Sequence, residues 1–324
     1  MNEQFSNTIC KATGASSFYE IEEIQTLWSG YGRIVRLGLV DSVYETVVVK
    51  QVDFGNVKNH PRGWNTDTSH QRKVKSYEVE SSWYSNWSNR CGVDCRVPQC
   101  YTVEIFENKV LIVLEDLDGA GFSETMVEAG RAEIEACLSW LASFHVTFMN
   151  SAPFGLWEQG TYWHLKTRPD ELNELSDLKL KQAASLIDEK LNSSRYKTIV
   201  HGDAKLANFC FTKDGSKAAA VDFQYVGGGS GVKDVAYFLG SCLAENQCES
   251  LVPVYLDYYF DKLKEKLENS QFEEELIIKE WKGLFPFAWA DFHRFLKGWS
   301  PSHWKINDYS EKVTKGVVDS LLDS

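Results

Sequence analysis

The chain of 324 residues carries 34 Lys and Arg against 46 Asp and Glu, a formal net charge of −12, with 43% hydrophobic and 25% charged residues. This is the balance of a soluble fold large enough for one big domain or two lobes; it argues against a nucleic-acid backbone as partner, which needs clustered Lys and Arg, and suits a cationic small molecule. No apolar stretch approaches the roughly 20 residues of a membrane helix, and the opening MNEQFSNTICKATG lacks the basic start and apolar core of a signal peptide, which predicts a cytoplasmic protein.

The first third reads as strands. RIVRLGLV alternates apolar residues at Val35, Leu37 and Leu39, and YETVVVKQV is a β-branched run that ends near Lys50. Asp53 to Ser69 is polar and rich in Gly, Asn, Pro and Thr, a long loop with Arg62, His60 and Trp64 as groups able to reach a ligand. A helix from about Gln71 to Asn89 follows, then a hairpin in CYTVEIFENKVLIVLEDLD that turns at Glu107 and Asn108. The cysteines of CGVDCRVPQC (Cys91, Cys95, Cys100) lack the paired spacing of a structural zinc site and read as free thiols.

After DLDGAGF the pattern turns helical, which places a lobe boundary near residue 117 and predicts domains of 1–117 and 118–324. Thr125 and Glu128 have capping-box spacing, and Ile134, Leu138, Leu141, His145 and Phe148 form an apolar stripe at helical intervals. A second helix spans about Asp177 to Leu191. The short strand TIV, a loop, a hairpin turning at Asp214 and Gly215, and a helical, aromatic remainder complete the chain.

The loop is KTIVHGDAKLANFCF, and its residue types suit phosphoryl transfer from ATP. That reaction needs a carboxylate to orient the attacking hydroxyl, metal ligands to gather the phosphates and a cation to hold them in line. Asp203 and Asn208 lie on one loop, and Asp222 closes the hairpin that begins at Asn208, so the hairpin can bring Asn208 and Asp222 to one metal.

HGDAKLAN with a later DFQ resembles the catalytic and metal loops of the aminoglycoside phosphotransferase and choline kinase superfamily. VVVKQ, LIVLEDLD, LASFH and GVKDVAYFLGS resemble, in the same order, its lysine strand, its hinge, its first large C-terminal helix and the segment after the metal loop. The combination is most similar to the ecdysteroid kinase-like and choline kinase-like branch. The resemblance implies an α+β, bilobal protein-kinase-like fold: an N-lobe of antiparallel sheet with one main helix, and a mainly helical C-lobe. It implies an ATP- and Mg²⁺-dependent kinase acting on the hydroxyl of a small molecule.

Carried over residue by residue, Asp203 is the catalytic base, and Asn208 and Asp222 bind Mg²⁺. Lys205 neutralises charge on the transferred group. Lys50 holds the ATP phosphates and is positioned by Glu80, preferred over Glu78 because EVESSWY resembles the family pattern. Gly30 and Gly32 let backbone amides approach the phosphates, and Glu115, Asp116 and Leu117 flank the adenine, recognising it mainly through backbone groups. His201 and Asp234 are expected to brace the loop, and His145 to be a core residue. Trp281, Trp289, Trp299 and Trp304 read mostly as helix core, with a cage for a cationic acceptor as the alternative. Two other functions stand beside the main one: an aminoglycoside-type phosphotransferase, and a nucleotide-binding pseudokinase, which the intact Asp203, Asn208, Asp222 and Lys50 disfavour.

Overall fold

A strand buried on both faces needs a cover on each, and the two apolar strands of the N-terminal third have one. The computed structural model describes residues 3–27, 30–56, 67–268 and 270–323. Its five-stranded sheet comprises β1 (Ser17–Thr26), β2 (Gly32–Val40), β3 (Thr46–Asp53), β4 (Cys100–Phe106) and β5 (Lys109–Glu115) in the order β1-β2-β3-β5-β4. Every neighbouring pair is antiparallel. Side chains alternate between the faces. Val47 and Val49 of β3 and Leu111 and Val113 of β5 pack with Phe5 and Ile9 of helix α1 (Glu3–Thr13). Val52, Val110, Ile112 and Leu114 pack on the other side with Tyr77 and Trp83 of helix α2 (Asp67–Asn86).

Two of these elements escape the sequence reading. Strand β1 exposes Tyr19, Ile21 and Ile24, so its apolar residues carry no core signal. Its glutamates instead face arginines of β2, with Arg33 to Glu20 at 2.8 Å and Arg36 paired to Glu22. Charges on an edge strand also oppose pairing with another chain. Helix α1 announces itself only by Phe5 and Ile9, one turn apart. Of the Asp53 to Ser69 loop, residues 57–66, including His60, Arg62 and Trp64, lie outside the described residues.

The remainder is mostly helical, as the fold class requires. Helices α3 (Arg131–Thr147), α4 (Pro169–Glu174), α5 (Leu178–Asn192), α6 (Val232–Cys242), α7 (Glu245–Leu267), α8 (Glu274–Trp299) and α9 (Asp308–Leu322) surround two small hairpin-like sheets. In these, β6 (Thr198–Val200) pairs with β9 (Gly227–Gly229), and β7 (Phe209–Phe211) with β8 (Ala218–Ala220). The Ile134 to Phe148 stripe is fully inside the core. The capping box expected at Thr125 and Glu128 does not form: α3 starts five residues later, where the Glu133 carboxylate accepts the Gly130 amide at 2.9 Å. All eight cysteines are free thiols. Among the described residues no helix is long and apolar enough to cross a membrane.

One buried residue ties this core to pH. Both ring nitrogens of His164 are buried and have no hydrogen-bond partner among the described residues, and its ring meets Trp157 edge-on at 5.9 Å. Burial, reinforced by Lys233, Arg168 and Arg294, pushes its pKa from 6.5 down to about 3. The unfolded chain therefore binds the extra proton first, and stability falls as pH drops below 6.5. Between pH 6.5 and about 5 this histidine alone should cost about 1–2 kcal/mol. Urea unfolding at several pH values measures it. His164→Phe, which keeps the ring and cannot titrate, should lose that much of the acid sensitivity; an unchanged slope would mean that His164 is not held neutral.

Candidate active site

The β3 alternation that sends Val47 and Val49 to one face sends Lys50 to the other, under α2. A lysine there is 4% exposed and needs a counter-charge. Its Nζ lies 2.8 Å from Oε1 and 2.7 Å from Oε2 of Glu80. Glu78, two positions earlier on the helix and so on another face, is exposed and pairs with Lys75. A third carboxylate, Asp222, approaches Lys50 to 3.5 Å from the far side of the cleft. Burial disfavours the Lys50 ammonium, but Glu80 and Asp222 outweigh it and raise its pKa, so Lys50 remains a cation.

The HGDAKLAN loop is held from beneath. Asp234, at the start of α6, accepts the amides of His201 at 2.6 Å and Gly202 at 2.9 Å. Its Oδ2 also accepts from His145 Nε2 at 3.1 Å, and His145 Nδ1 accepts from the Tyr259 hydroxyl at 2.8 Å. His201 braces the loop from within: Nε2 donates to the Val221 carbonyl at 3.0 Å, and Nδ1 accepts the Asp203 amide. Gly202 is in the left-handed region at φ 81°, and a Cβ there would stand 2.0 Å from the Tyr225 carbonyl oxygen. Only glycine fits.

The loop presents Asp203 with both oxygens occupied. Oδ1 accepts from the Tyr237 hydroxyl at 3.0 Å, and Oδ2 accepts from Lys205 Nζ and Asn208 Nδ2, each at 3.0 Å. Burial works against the Lys205 ammonium, yet Asp203 and Asp222 raise its pKa overall. Asn208 turns its amide nitrogen to Asp203, which leaves its carbonyl oxygen for another partner. Its main-chain oxygen accepts the Val221 amide at 3.0 Å, so Asn208 and Asp222 are neighbours across the β7–β8 pair.

Asp222 sits in the left-handed region at φ 65°, a conformation that Asp tolerates better than most residues. Its Oδ1 is buried and makes no hydrogen bond among the described residues. Burial raises its pKa, but Lys50, Lys73 and Lys205 more than offset this and hold it below the usual carboxylate value. An ionised carboxylate whose buried oxygen has only a 3.5 Å ion pair with Lys50, on the strand pair that also carries the Asn208 amide, offers hard oxygen donors that fit a divalent cation such as Mg²⁺.

The side chains of the remaining predicted residues have other surroundings. Glu115 is bound to Arg96, with both oxygens 2.6 Å from Nη2, and Asp116 is 2.9 Å from Arg36 Nε; Leu117 is buried. Their side chains are thus committed to the protein. Gly32, at φ 146°, opens β2 where a Cβ would stand 1.9 Å from the Gln51 carbonyl oxygen, so strand packing accounts for it. Gly30 faces open space. Trp281 and Trp289 are core residues whose indole nitrogens donate to Tyr196 O and Ser310 Oγ. Trp299 stacks on Phe295, and Trp304 is exposed.

Three participants were missed. Tyr237 follows Asp234 by three positions in KDVAYFLGS, so both reach the loop from one face of α6. Lys73 lies two turns before Glu80 and donates to Gln224 Oε1 at 2.6 Å, tying α2 to the residue after DF. Phe223 stacks on Trp83 at 4.5 Å, a contact between distant segments that no local pattern announces.

With this geometry in hand, the comparisons fall into place. The ecdysteroid kinase-like family model matches residues 157–272, which include the whole loop and hairpin. The solved amicoumacin kinase hAmiN, described in complex with AMP-PNP, Ca²⁺ and Ami, aligns with a TM-score of 0.56 at 12% identity over 99% of this chain and 94% of its own. An ethanolamine kinase of Plasmodium vivax aligns at 0.47 and 14% identity over 93% and 82% of the two chains. The aminoglycoside phosphotransferase APH(3'')-Id of Streptomyces rimosus ATCC10970 aligns at 0.46 and 13% over 88% and 99%. No curated protein sequence matches the chain. The fold is the protein-kinase-like fold, and the resemblance to the phosphotransferase superfamily and its ecdysteroid kinase-like branch, drawn from the motifs, is upheld.

The loop's dependence on Asp234 is testable by stability. Asp234→Ala removes a charged acceptor from two buried amides and should cost about 3 kcal/mol, since hydrogen bonds to charged groups are worth roughly 1.5–3 kcal/mol each. Equilibrium urea unfolding reads the loss; a cost below about 1 kcal/mol would show that the loop is held by other means.

Proposed function

We propose that the protein is an ATP-dependent small-molecule kinase that phosphorylates an alcohol, with residues 1–117 as nucleotide-binding lobe and 118–324 carrying the catalytic loop and acceptor pocket. What supports the reading above all is the Glu80–Lys50–Asp222 chain of charges, which joins the sheet to the hairpin beside Asp203.

Lys50, fixed by Glu80, would hold the nucleotide phosphates, releasing Asp222 for a metal. Asn208 and Asp222 would hold Mg²⁺. The ion, when bound, would neutralise phosphate charge. Asp203 would orient the acceptor hydroxyl and take its proton as the oxygen attacks the terminal phosphorus, whose bond to the bridging oxygen breaks so that ADP leaves. Lys205, which already faces Asp203, would shift toward the transferred group as its charge develops. Tyr237 would keep the carboxylate aimed.

The test is ADP release with ATP and Mg²⁺ against a panel of choline, ethanolamine, sugars, sterols and aminoglycosides. A productive acceptor should raise ADP release, and Asp203→Asn should lower turnover by about 10²–10⁴-fold, the usual worth of a positioned base, with nucleotide affinity retained. Lys50→Met should weaken nucleotide binding instead. Unchanged turnover in Asp203→Asn would remove that residue from the reaction, and calorimetry showing no Mg²⁺-dependent ATP binding would sink the kinase reading.

A further inference from the structure

The wall of Asp203 formed by Tyr237 belongs to an aromatic box, and the box is already filled. Lys305, in the turn between α8 and α9, places Nζ 4.9 Å from the ring centre of Tyr237 and 5.4 Å from those of Phe292 and Trp304. Three rings around one ammonium is the arrangement by which proteins hold quaternary ammonium ligands. Here the protein supplies the cation itself. Tyr237 and Phe292 are buried, whereas Trp304 is 59% exposed and forms the outer side. Among the described residues the Lys305 ammonium makes no ion pair and no hydrogen bond, so the rings are its principal partners.

Burial pushes the Lys305 pKa down to about 8, against the pull of Asp203, so at neutral pH it is still mostly charged. The Tyr237 hydroxyl donates to Asp203, so the box and the carboxylate share one side chain. A cationic group entering beside Asp203 would meet both a filled box and a like charge.

We propose that Lys305 sets acceptor specificity by filling the Tyr237–Phe292–Trp304 box with its own ammonium, so that cationic alcohols are refused and the acceptor is an uncharged or anionic alcohol. The inference rests on the phosphotransferase reading, which makes Asp203 the group that meets the acceptor. It runs against the expectation of a cationic acceptor drawn from the net charge of −12, because a local ammonium outweighs a diffuse surface charge at contact distance.

Calorimetry with tetramethylammonium, in the presence of AMP-PNP and Mg²⁺, tests it. The wild-type protein should not bind the probe. Lys305→Ala, or Lys305→Ser should the first variant fail to fold, should bind it at least about tenfold more tightly. Adding Trp304→Ala to the opened box should abolish the gain, and Lys305→Met, which refills the box without charge, should show none. Equal binding by wild type and the opened variant, or no binding by an opened variant that still takes AMP-PNP, overturns the proposal. Failure of the wild-type protein to bind AMP-PNP overturns the phosphotransferase reading instead, and the two failures are distinct.

Discussion

The carboxylate of Asp234 is the fixed point of the site. Two consecutive amides, those of His201 and Gly202, have no strand partner where β6 ends, and buried amides left unpaired are costly. Asp234 accepts both, and His145 with Tyr259 behind it satisfies the rest of the carboxylate. Because Asp234 and Tyr237 lie on one face of α6, the helix that anchors the loop also aims Asp203. Moving that helix would disturb support and chemistry together.

The second constraint crosses the cleft. Lys50 answers to Glu80 on one side and Asp222 on the other, and Lys73 ties the same helix to Gln224. Phe223, between Asp222 and Gln224, packs into Trp83 of α2 and against His201 at 4.6 Å. A polar layer and an aromatic layer thus fasten α2 to the hairpin end. The left-handed backbone of Asp222 is sustained by these neighbours: Phe223 points inward to the rings, and Asp222 outward to Lys50.

The motif residues were legible because their requirements are local. HGDAKLAN places carboxylate, cation and amide on one short loop, and strand alternation in VVVKQV was enough to put Lys50 on the helix side. Tyr237 was within reach by its spacing from Asp234. Other features depend on partners far away in sequence. Strand β1 pairs with β2 while its Glu20 and Glu22 meet Arg33 and Arg36, and a strand that exposes Tyr19, Ile21 and Ile24 offers no pattern to read. The start of α3 turned on Glu133 meeting the Gly130 amide, while Thr125 and Glu128 offered the same spacing with no helix to cap. Glu115 and Asp116 were expected to flank the adenine through their backbone groups, which left their carboxylates unassigned; nothing in LEDL reveals that Arg96 and Arg36 take these up.

Net charge misleads about such a site because it averages over distances that matter. Charges on the outer surface are screened beyond a Debye length of about 8–10 Å at physiological salt, whereas groups gathered in a cleft are not. Lys50, Lys73 and Lys205 converge on Asp222, and Lys305 stands by Asp203. An acidic chain of −12 thus gathers Lys50, Lys73, Lys205 and Lys305 against Glu80, Asp203 and Asp222 in one place, a local balance that net charge does not register. Nucleic acids and other extended polyanions need a broad basic surface, which a net charge of −12 disfavours, whereas a compact group responds only to the few charges it touches.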